Sequence, residues 1–200
     1  LNILITGGAG FVGSSLAFSF RRKFPNAQII AFDNLKRRGS ETNLSTFKKK
    51  NIDFVHGDIR NRSDLFDLSK NFDLFVEASA EPSVHAGING SPDYVLNTNL
   101  CGTLNCLEYA RRHVDTTIFL STSRVYSIKA LRAIELEEKD TRYEISQSNM
   151  QEGLSSKGVS EHFSTRTARS IYGASKLASE LIAQEYAQTY KTKIIINRCG

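Results

Sequence analysis

The sequence predicts an α/β fold in which helices cover both faces of a doubly wound parallel sheet. Short apolar runs alternate with segments of helical periodicity along most of the chain, and a glycine-rich turn joins the first run to the first helical segment. Regular strand and helix alternation is typical of a parallel sheet with helices on both faces. The chain has 200 residues, of which 40% are hydrophobic and 24% charged, and this suits one domain over residues 1–200.

The individual elements follow from periodicity and from their boundary signals. Ser63 is expected to cap the third helix, and Ser91 and Pro92 are typical of the start of the fourth. The predicted strands span residues 2–6, 28–32, 52–56, 72–78, 117–120 and 193–197. The predicted helices span residues 11–23, 41–50, 63–70, 92–113 and 170–190.

One long segment, residues 127–169, interrupts the alternation. It is polar and rich in Ser, Thr, Glu and Arg. Connections inside compact domains usually have about 4 to 6 residues, and much longer ones often carry function. We expect a substrate-loop insertion beside the functional site.

The net charge of +5 raises the question of a nucleic acid partner. The basic residues fall in small groups near the ends of predicted helices, where positive charge complements the helix dipole. This pattern favours a solvated surface, and we expect no nucleic acid partner. No apolar run reaches the roughly 18 residues that span a bilayer, so we also expect no membrane association.

The cysteines and histidines show no recognisable site pattern. Cys101, Cys106 and Cys199 are too few for a disulfide framework, which favours the reducing cytoplasm. The four histidines are irregularly spaced, and we expect no metal site.

The glycine turn carries the first functional signal. Gly7, Gly10 and Gly13 are spaced to permit, in order, a tight bend, close approach of a pyrophosphate and close packing of helix on strand. Phe11 and Val12 begin the helix whose unpaired amides would face the phosphates. A tight connection without any ligand is the alternative interpretation.

An acidic residue strengthens the dinucleotide interpretation. Asp33 ends the second strand, 20 residues after Gly13, where a carboxylate can bind both hydroxyls of an adenosine ribose. This favours NAD, although Arg37 and Arg38 could accept the extra phosphate of NADP and keep that cofactor open. Asp58 and Ile59 follow the third strand at the same edge of the sheet. They could border the adenine, or Asp58 could only cap its loop.

Tyr172 and Lys176 indicate what chemistry the dinucleotide would serve. They are four residues apart on a predicted helix and therefore share a face. A nearby ammonium favours the phenolate form of a tyrosine, and Lys176 could also bind the nicotinamide ribose. The alternative interpretation, without catalytic function, is a buried tyrosine beside a solvated lysine. The hydroxyls of residues 121–123, at the end of the fifth strand, would lie at the same edge.

These motifs, in this order, resemble those of the extended short-chain dehydrogenase/reductases, and specifically the NAD-dependent nucleotide-sugar epimerase/dehydratase family. The matching segments are Thr6-Gly7-x-x-Gly10-x-x-Gly13, Asp33-Asn34-Leu35, Gly57-Asp58-Ile59-Arg60, Asn99-x-x-Gly102-Thr103, Ser121-Thr122-x-x-Val125-Tyr126 and Tyr172-Gly173-Ala174-Ser175-Lys176. They cover nearly the whole chain.

The resemblance implies an NAD(P)-binding Rossmann fold and a set of roles. Thr122 would be the hydroxyl catalyst, Tyr172 the base and acid, and Lys176 a ribose ligand. Asn34 would contribute to the NAD site beside Asp33. Asn99 would support the active-site backbone near the cofactor.

The two residues that directly follow Thr122 distinguish the branches of the family. Sugar 4,6-dehydratases resemble one another in carrying Asp-Glu there, whereas this chain has Ser123-Arg124. We therefore expect an NAD-dependent epimerase that acts on a nucleotide-diphosphate sugar through a transient keto intermediate. A net NAD(P)-dependent dehydrogenase or reductase is the alternative. A 4,6-dehydratase or a non-catalytic NAD-sensing protein is less favoured.

A narrower resemblance is to the CDP-paratose 2-epimerase (CDP-tyvelose epimerase) branch. It rests on Asp33-Asn34-Leu35 with a nearby arginine, on Thr122 and on Thr141-Arg142-Tyr143-Glu144.

Three further expectations come from the family. Ser127 stands where a glycine usually follows Val-Tyr, which puts the local backbone geometry in question. Family members continue into a smaller C-terminal domain that closes over the sugar nucleotide, and we expect this domain to be absent from the chain. The helices over residues 92–113 and 170–190 resemble those of a four-helix dimer interface, so a homodimer is expected.

Overall fold

The computed structural model describes residues 1–146, 148 and 151–200. Its strands are β1 (Asn2–Thr6), β2 (Gln28–Asp33), β3 (Asp53–His56), β4 (Phe72–Glu77), β5 (Val114–Thr122), β6 (Leu136–Glu138), β7 (Tyr143–Ile145), β8 (Leu154–Ser155), β9 (Gly158–Val159) and β10 (Lys193–Cys199). Its α-helices are α1 (Phe11–Lys23), α2 (Leu44–Lys49), α3 (Arg62–Phe66), α4 (Asp93–Leu96), α5 (Gly102–His113), α6 (Ile128–Arg132) and α7 (Ile171–Tyr190).

Six of these strands form one sheet in the order β10-β5-β4-β1-β2-β3, and each neighbouring pair runs parallel. The order reverses direction at β1, which pairs with β2 on one side and β4 on the other. Open α/β sheets bind ligands in the crevice outside the carboxyl ends of the strands at such a reversal. The predicted doubly wound fold is confirmed.

Both faces of the sheet are buried at the central strands β1, β2 and β4, which explains why these strands are almost continuously apolar. Successive side chains of a strand point to opposite faces. In β1, Ile3 and Ile5 accordingly pack in a cluster with Phe47, whereas Leu4 packs with Phe75 and Tyr109 in a second cluster.

Helix α3 differs from the prediction at both ends. It ends at Phe66 instead of residue 70, and Ser69 adopts a positive φ of 43° beyond its end. Asn61 directly precedes the helix, and the Ser63 hydroxyl donates to the Asn61 side chain. The prediction of Ser63 as the cap was therefore wrong. A five-residue helix carries too little periodicity to locate its ends from sequence.

The long helix predicted over residues 92–113 is present but not uniform. It begins at Asp93, so Pro92 and not Ser91 directly precedes the helix, and the prediction of Ser91 as its cap was wrong by one residue. The Ser91 hydroxyl still accepts a hydrogen bond from the Asp93 amide, 3.1 Å away. A wider π-helical segment, Asn97–Cys101, then separates α4 from α5. π-Helical turns often accompany functional sites, and this one contains Asn99.

The insertion over residues 127–169 is partly regular. It contains α6 and two small antiparallel hairpins, formed by β6 with β7 and by β8 with β9. Leu154 and Phe163 from the insertion pack against Val125 and Tyr126. Ser127 has an ordinary φ of −62°, and its hydroxyl accepts from the Ala130 amide, so this position does not need a glycine.

The described segments contain no helix that combines the length and the apolar character needed to cross a membrane.

Candidate active site

The glycine turn lies at the carboxyl end of β1 and has the geometry that its spacing predicted. Gly7 has a φ of +63°, and a Cβ there would lie 2.7 Å from the Ala78 carbonyl oxygen. A Cβ on Gly13 would collide with the Gly7 carbonyl group. Gly7 thus makes the bend and Gly13 permits close packing of α1, while Gly10 directly precedes the helix.

A cavity of about 580 Å³ opens beside this turn. The predicted cofactor residues that line it are Gly7, Gly10, Phe11, Val12, Gly13, Asp33, Asn34, Arg37 and Ile59. Lining residues that were not predicted from the sequence include Lys36, Tyr94, Thr98 and the loop over residues 78–82. This loop follows β4, the strand on the other side of β1, so only the strand order could have indicated it.

The N-terminal end of α1 meets this cavity without a negative charge of its own. Its first turn has no acidic residue and no side-chain cap. A helix N-terminus carries a partial positive charge on unpaired amides and therefore attracts anions. Phe11, in the first turn, is 89% exposed, which leaves a large apolar surface on the cavity wall.

Asp33 connects the glycine turn to the end of β2. One carboxylate oxygen, Oδ2, accepts a hydrogen bond from the Ala9 amide at 3.1 Å, and Oδ1 accepts one from the Leu35 amide at 2.8 Å. These bonds fix the orientation of the carboxylate. Each oxygen can still accept a further hydrogen bond, because a carboxylate has about four lone-pair positions.

Asp58 lies behind the cavity and is already engaged by protein groups. Its Oδ2 accepts from the Asn34 side chain at 2.9 Å and from the Arg60 guanidinium at 2.6 Å. Burial raises the pKa of Asp58, but the bonds from Arg60 and Asn34 outweigh it and hold the pKa at about 2. Asp58 also caps its own loop by accepting from the Arg60 amide. Its direct contact with a cofactor stays a prediction.

Asn99 is fully buried and fixes the loop that follows β4. Its side-chain oxygen accepts from the Glu81 amide at 2.8 Å, and its nitrogen donates to the Glu81 carbonyl at 3.1 Å. The same nitrogen donates to the Ser175 hydroxyl at 3.2 Å. Asn99 thereby joins the cavity loop to α7. It does not line the cavity, so any effect on a ligand would pass through this backbone.

Of the three predicted catalytic residues, Thr122 ends β5 and Tyr172 lies in the first turn of α7, with Lys176 one turn further along that helix. The Thr122 hydroxyl accepts a hydrogen bond from the Arg124 amide at 3.2 Å and lies close enough to Tyr172 to lower the pKa of that phenol. Thr122, Tyr172 and Lys176 are 9%, 8% and 2% exposed. Within the described residues they lie outside the wall of the cavity at the glycine turn.

The electrostatics of Tyr172 differ from the expectation. Burial raises the pKa of Tyr172 above its ordinary value, and the Thr122 hydrogen bond and the Arg124 charge only partly oppose this. The cation that lowers the pKa of Tyr172 is Arg124 and not the expected Lys176, and desolvation of the phenolate is the larger effect.

Lys176 is buried, so the alternative interpretation of a solvated surface lysine is wrong. Its ammonium lies 4.0 Å from the centre of the Phe119 ring and 3.8 Å from Oε2 of Glu77. Burial lowers the pKa of Lys176 and raises that of Glu77 to about 7. Sequence reasoning missed Glu77, whose only signal is an acidic residue at the end of an otherwise apolar strand.

A second buried charge pair was also missed. Glu180 of α7 accepts from the Arg198 guanidinium, with a shortest distance of 2.7 Å, and from the Ser121 hydroxyl. Arg198 also donates to the Glu161 carbonyl at 2.8 Å. These contacts tie the insertion to α7 and β5. They also show that the Ser121 hydroxyl has a structural role.

Among the described residues, no three His, Cys, Asp or Glu side chains gather in a group that could hold a metal ion.

Replacing Asn99 tests whether this side chain holds the cavity loop. In Asn99→Ala, the Glu81 amide and carbonyl lose their partners. We expect the free energy of unfolding to fall by about 1 to 3 kcal/mol, since buried unsatisfied polar groups cost that much. Urea unfolding followed by circular dichroism measures this.

The matched control for Asn99→Ala is Asn105→Ala. Asn105 is on α5, which directly follows the π-helical segment of Asn99, and it donates to the carbonyls of Ile59 and Arg60 at a partly exposed position. We expect a smaller loss of stability. Equal losses in the two variants would show that the cavity loop does not depend on Asn99.

Comparison with known proteins places this site in a family. Residues 3–200 match the family described as the NAD dependent epimerase/dehydratase family. CDP-paratose 2-epimerase from Salmonella typhi is 32% identical over 99% of this chain and 56% of its own length. dTDP-D-glucose 4,6-dehydratase from Dictyostelium discoideum is 29% identical over 99% of this chain and 43% of its own length.

The structure of dTDP-glucose 4,6-dehydratase from Bacillus anthracis, in complex with NAD, is also similar. It superposes with a TM-score of 0.69 at 26% identity, over 100% of this chain and 54% of that one. The chain spans about half the length of the relatives that it matches. The resemblance found in the sequence is confirmed at the family level: the chain belongs to the NAD dependent epimerase/dehydratase family.

Proposed function

We propose that the protein is an NAD-dependent epimerase that acts on a nucleotide-diphosphate sugar through a transient keto intermediate. The observation that carries the proposal is that Thr122 and Tyr172 lie close enough, at the carboxyl edge of the sheet, for the Thr122 hydroxyl to lower the pKa of Tyr172. A sugar hydroxyl placed against this pair would meet a hydrogen-bond partner and a proton acceptor together.

The residues of the cavity fit NAD. The α1 N-terminus, with no acid in its first turn, suits a pyrophosphate, and Gly10 leaves room for its approach. The Asp33 carboxylate, held by two backbone amides, suits ribose hydroxyls. When bound, NAD would supply reversible acceptance of a hydride from the sugar. The exposed cation Arg37 also lines the cavity, and it is the feature that would favour NADP.

The chain's own contribution is proton transfer at Oη of Tyr172. Because burial raises the pKa of Tyr172, the phenol is protonated near neutral pH in the described structure. It must therefore lose this proton before it can accept one from a sugar hydroxyl. The Thr122 hydroxyl stabilises the phenolate by a hydrogen bond, and the Arg124 charge favours it too. Rising pH should increase turnover as the phenolate becomes available.

The residues after Thr122 favour epimerisation over loss of water. Elimination of water needs an acid to protonate the leaving hydroxyl and a base to remove a proton from the neighbouring carbon. Ser123 and Arg124 occupy these positions. An arginine stays protonated in proteins, and a serine hydroxyl is neither a strong acid nor a strong base. This supports an epimerase, even though dehydratases are among the relatives.

Three further parts of the proposal concern the family branch, the assembly and the cellular location of the enzyme. The likeness to CDP-paratose 2-epimerase supports that branch of the family. We also propose a homodimer through α5 and α7, since Ile171, Leu181 and Tyr190 of α7 are exposed. The three free cysteines suit the cytoplasm.

Product analysis tests the proposed reaction. Full-length protein is incubated with NAD and, separately, with CDP-, dTDP- and UDP-linked sugars. We expect one of these sugars to give a product of unchanged mass and altered stereochemistry, without accumulation of NADH. A product lighter by one water would identify a dehydratase. Steady growth of NADH absorbance would identify a net dehydrogenase.

Replacing Tyr172 tests its role in proton transfer. In Tyr172→Phe, the ring and its packing remain but the proton acceptor is lost. We expect turnover to fall by about 10²- to 10⁴-fold, the usual contribution of general acid–base catalysis. NAD binding, measured by calorimetry, should be nearly unchanged.

Tyr109→Phe serves as the matched control for Tyr172→Phe. It removes the same hydroxyl from another buried tyrosine, which donates to the Lys70 carbonyl away from the site, and its turnover should equal that of the unmodified protein. Turnover above a tenth of the unmodified value in Tyr172→Phe would exclude the assigned role.

A further inference from the structure

Glu77 is a buried carboxylate that the proposed chemistry leaves without a role. It ends β4, between Thr6 of β1 and Phe119 of β5 in the register of the sheet, and is 1% exposed. Its Oε1 accepts a hydrogen bond from the Ser79 amide at 3.1 Å. Its Oε2 is buried and has no hydrogen-bond partner among the described residues. Buried carboxylate oxygens are seldom left in this state, because a lost hydrogen bond to a charged group is costly.

The group that comes closest to being a partner of Oε2 is the ammonium of Lys176, whose nitrogen lies 3.8 Å away. This is too long for a direct hydrogen bond but close enough for strong attraction in a buried site. The ammonium also lies over the face of Phe119, 4.0 Å from the ring centre. A cation gains from an aromatic face, yet the ring supplies no negative charge to balance it.

The other titratable groups that face Lys176 cannot serve equally well as its counter-charge. Glu180 of α7 is already bound by Arg198 and Ser121. Cys106 of α5 stays a neutral thiol, since burial raises its pKa well above the ordinary value. Cys199 of β10 is exposed, and Tyr172 of α7 is a neutral phenol near pH 7.

We infer that Glu77 is a positioning residue whose carboxylate keeps Lys176 in its ammonium form beside Tyr172. The inference rests on the proposed function only for its catalytic consequence, because the charge of Lys176 can be observed directly. An isolated buried ammonium would otherwise lose its proton, since burial disfavours the charged form.

This arrangement has a defined pH range. Glu77 ionises as the pH rises through about 7. Above that pH its carboxylate raises the pKa of Lys176, against the effect of burial. Well below that pH, Glu77 is protonated and close in shape and charge to a glutamine. The effect of Glu77→Gln on Lys176 and on turnover should therefore appear above about pH 7 and disappear near pH 5.

The direct test is an NMR titration of Lys176 in the full-length protein. Lysine Cε is labelled with ¹³C, and the Lys176 signal is identified by its loss in Lys176→Arg. In Glu77→Gln we expect the titration midpoint of Lys176 to fall by about 1 to 3 pH units, the usual effect of removing an opposite charge at this distance. In Glu77→Asp, which keeps the charge, the midpoint should lie closer to that of the unmodified protein.

Glu185→Gln is the matched control for this titration. It makes the same chemical change at an exposed position on α7. The Lys176 midpoint should not move. An unchanged midpoint in Glu77→Gln as well would overturn the inference, whether or not the protein shows epimerase activity.

A pH profile of turnover tests the catalytic consequence separately. If Lys176 must stay charged, turnover falls at high pH as Lys176 loses its proton. In Glu77→Gln, the pH at which turnover falls should decrease by the same interval as the Lys176 midpoint. Near pH 5, turnover should stay within about twofold of that of the unmodified protein. If the Lys176 midpoint shifts in Glu77→Gln but the fall of turnover at high pH stays at the same pH, the positioning role is overturned. If the unmodified protein turns over no nucleotide sugar, the proposed function fails, and the NMR titration alone decides the role of Glu77.

Discussion

The parallel register of β1 with its two neighbours is the constraint on which the site depends. Thr6, the last residue of β1, pairs with Phe32 on one side and with Glu77 on the other. Because the strands run in the same direction, the segments that follow them emerge at one edge. This brings together the glycine turn, Asp33 and the loop after β4. The parallel pairing of β4 with β5 places Thr122 at the same edge.

Behind this edge, buried polar groups fix the parts that the sheet alone would leave free. Asn99 holds the Glu81 peptide and reaches Ser175, and its carbonyl accepts from the Ser179 hydroxyl at 2.8 Å. The Glu180 and Arg198 pair joins α7 to β10 and to the insertion. Breaking such buried pairs leaves an uncompensated charge, so each one strongly restricts the relative positions of the elements it joins. Tyr172 and Lys176 are carried by the helix that these contacts hold.

The sequence was sufficient to predict the six strands of the large sheet and the glycine turn, because these depend on local patterns. The spacing of apolar residues, the length of an apolar run and the backbone conformation that requires a glycine each depend on a few neighbouring residues. Prediction was weaker where the cause lies in distant contacts. The short helix α3 ends earlier than predicted. The spacing of apolar residues does not reveal the π-helical segment around Asn99. Glu77 became visible as a partner of Lys176 only once strand order and helix packing were known, since the two residues are 99 positions apart in the sequence.

The central claim is that the sugar loses and regains hydrogen on one carbon without exchange with water, while Tyr172 handles only the hydroxyl proton. The most direct test is to run the reaction in D₂O with full-length protein, NAD and the active nucleotide sugar. The product is then analysed by mass spectrometry and NMR for deuterium bound to carbon. We predict that the inverted carbon carries no deuterium. Deuterium at that carbon would show that a proton is removed to solvent and returned from it, which would contradict removal and return of a hydride at the inverted carbon.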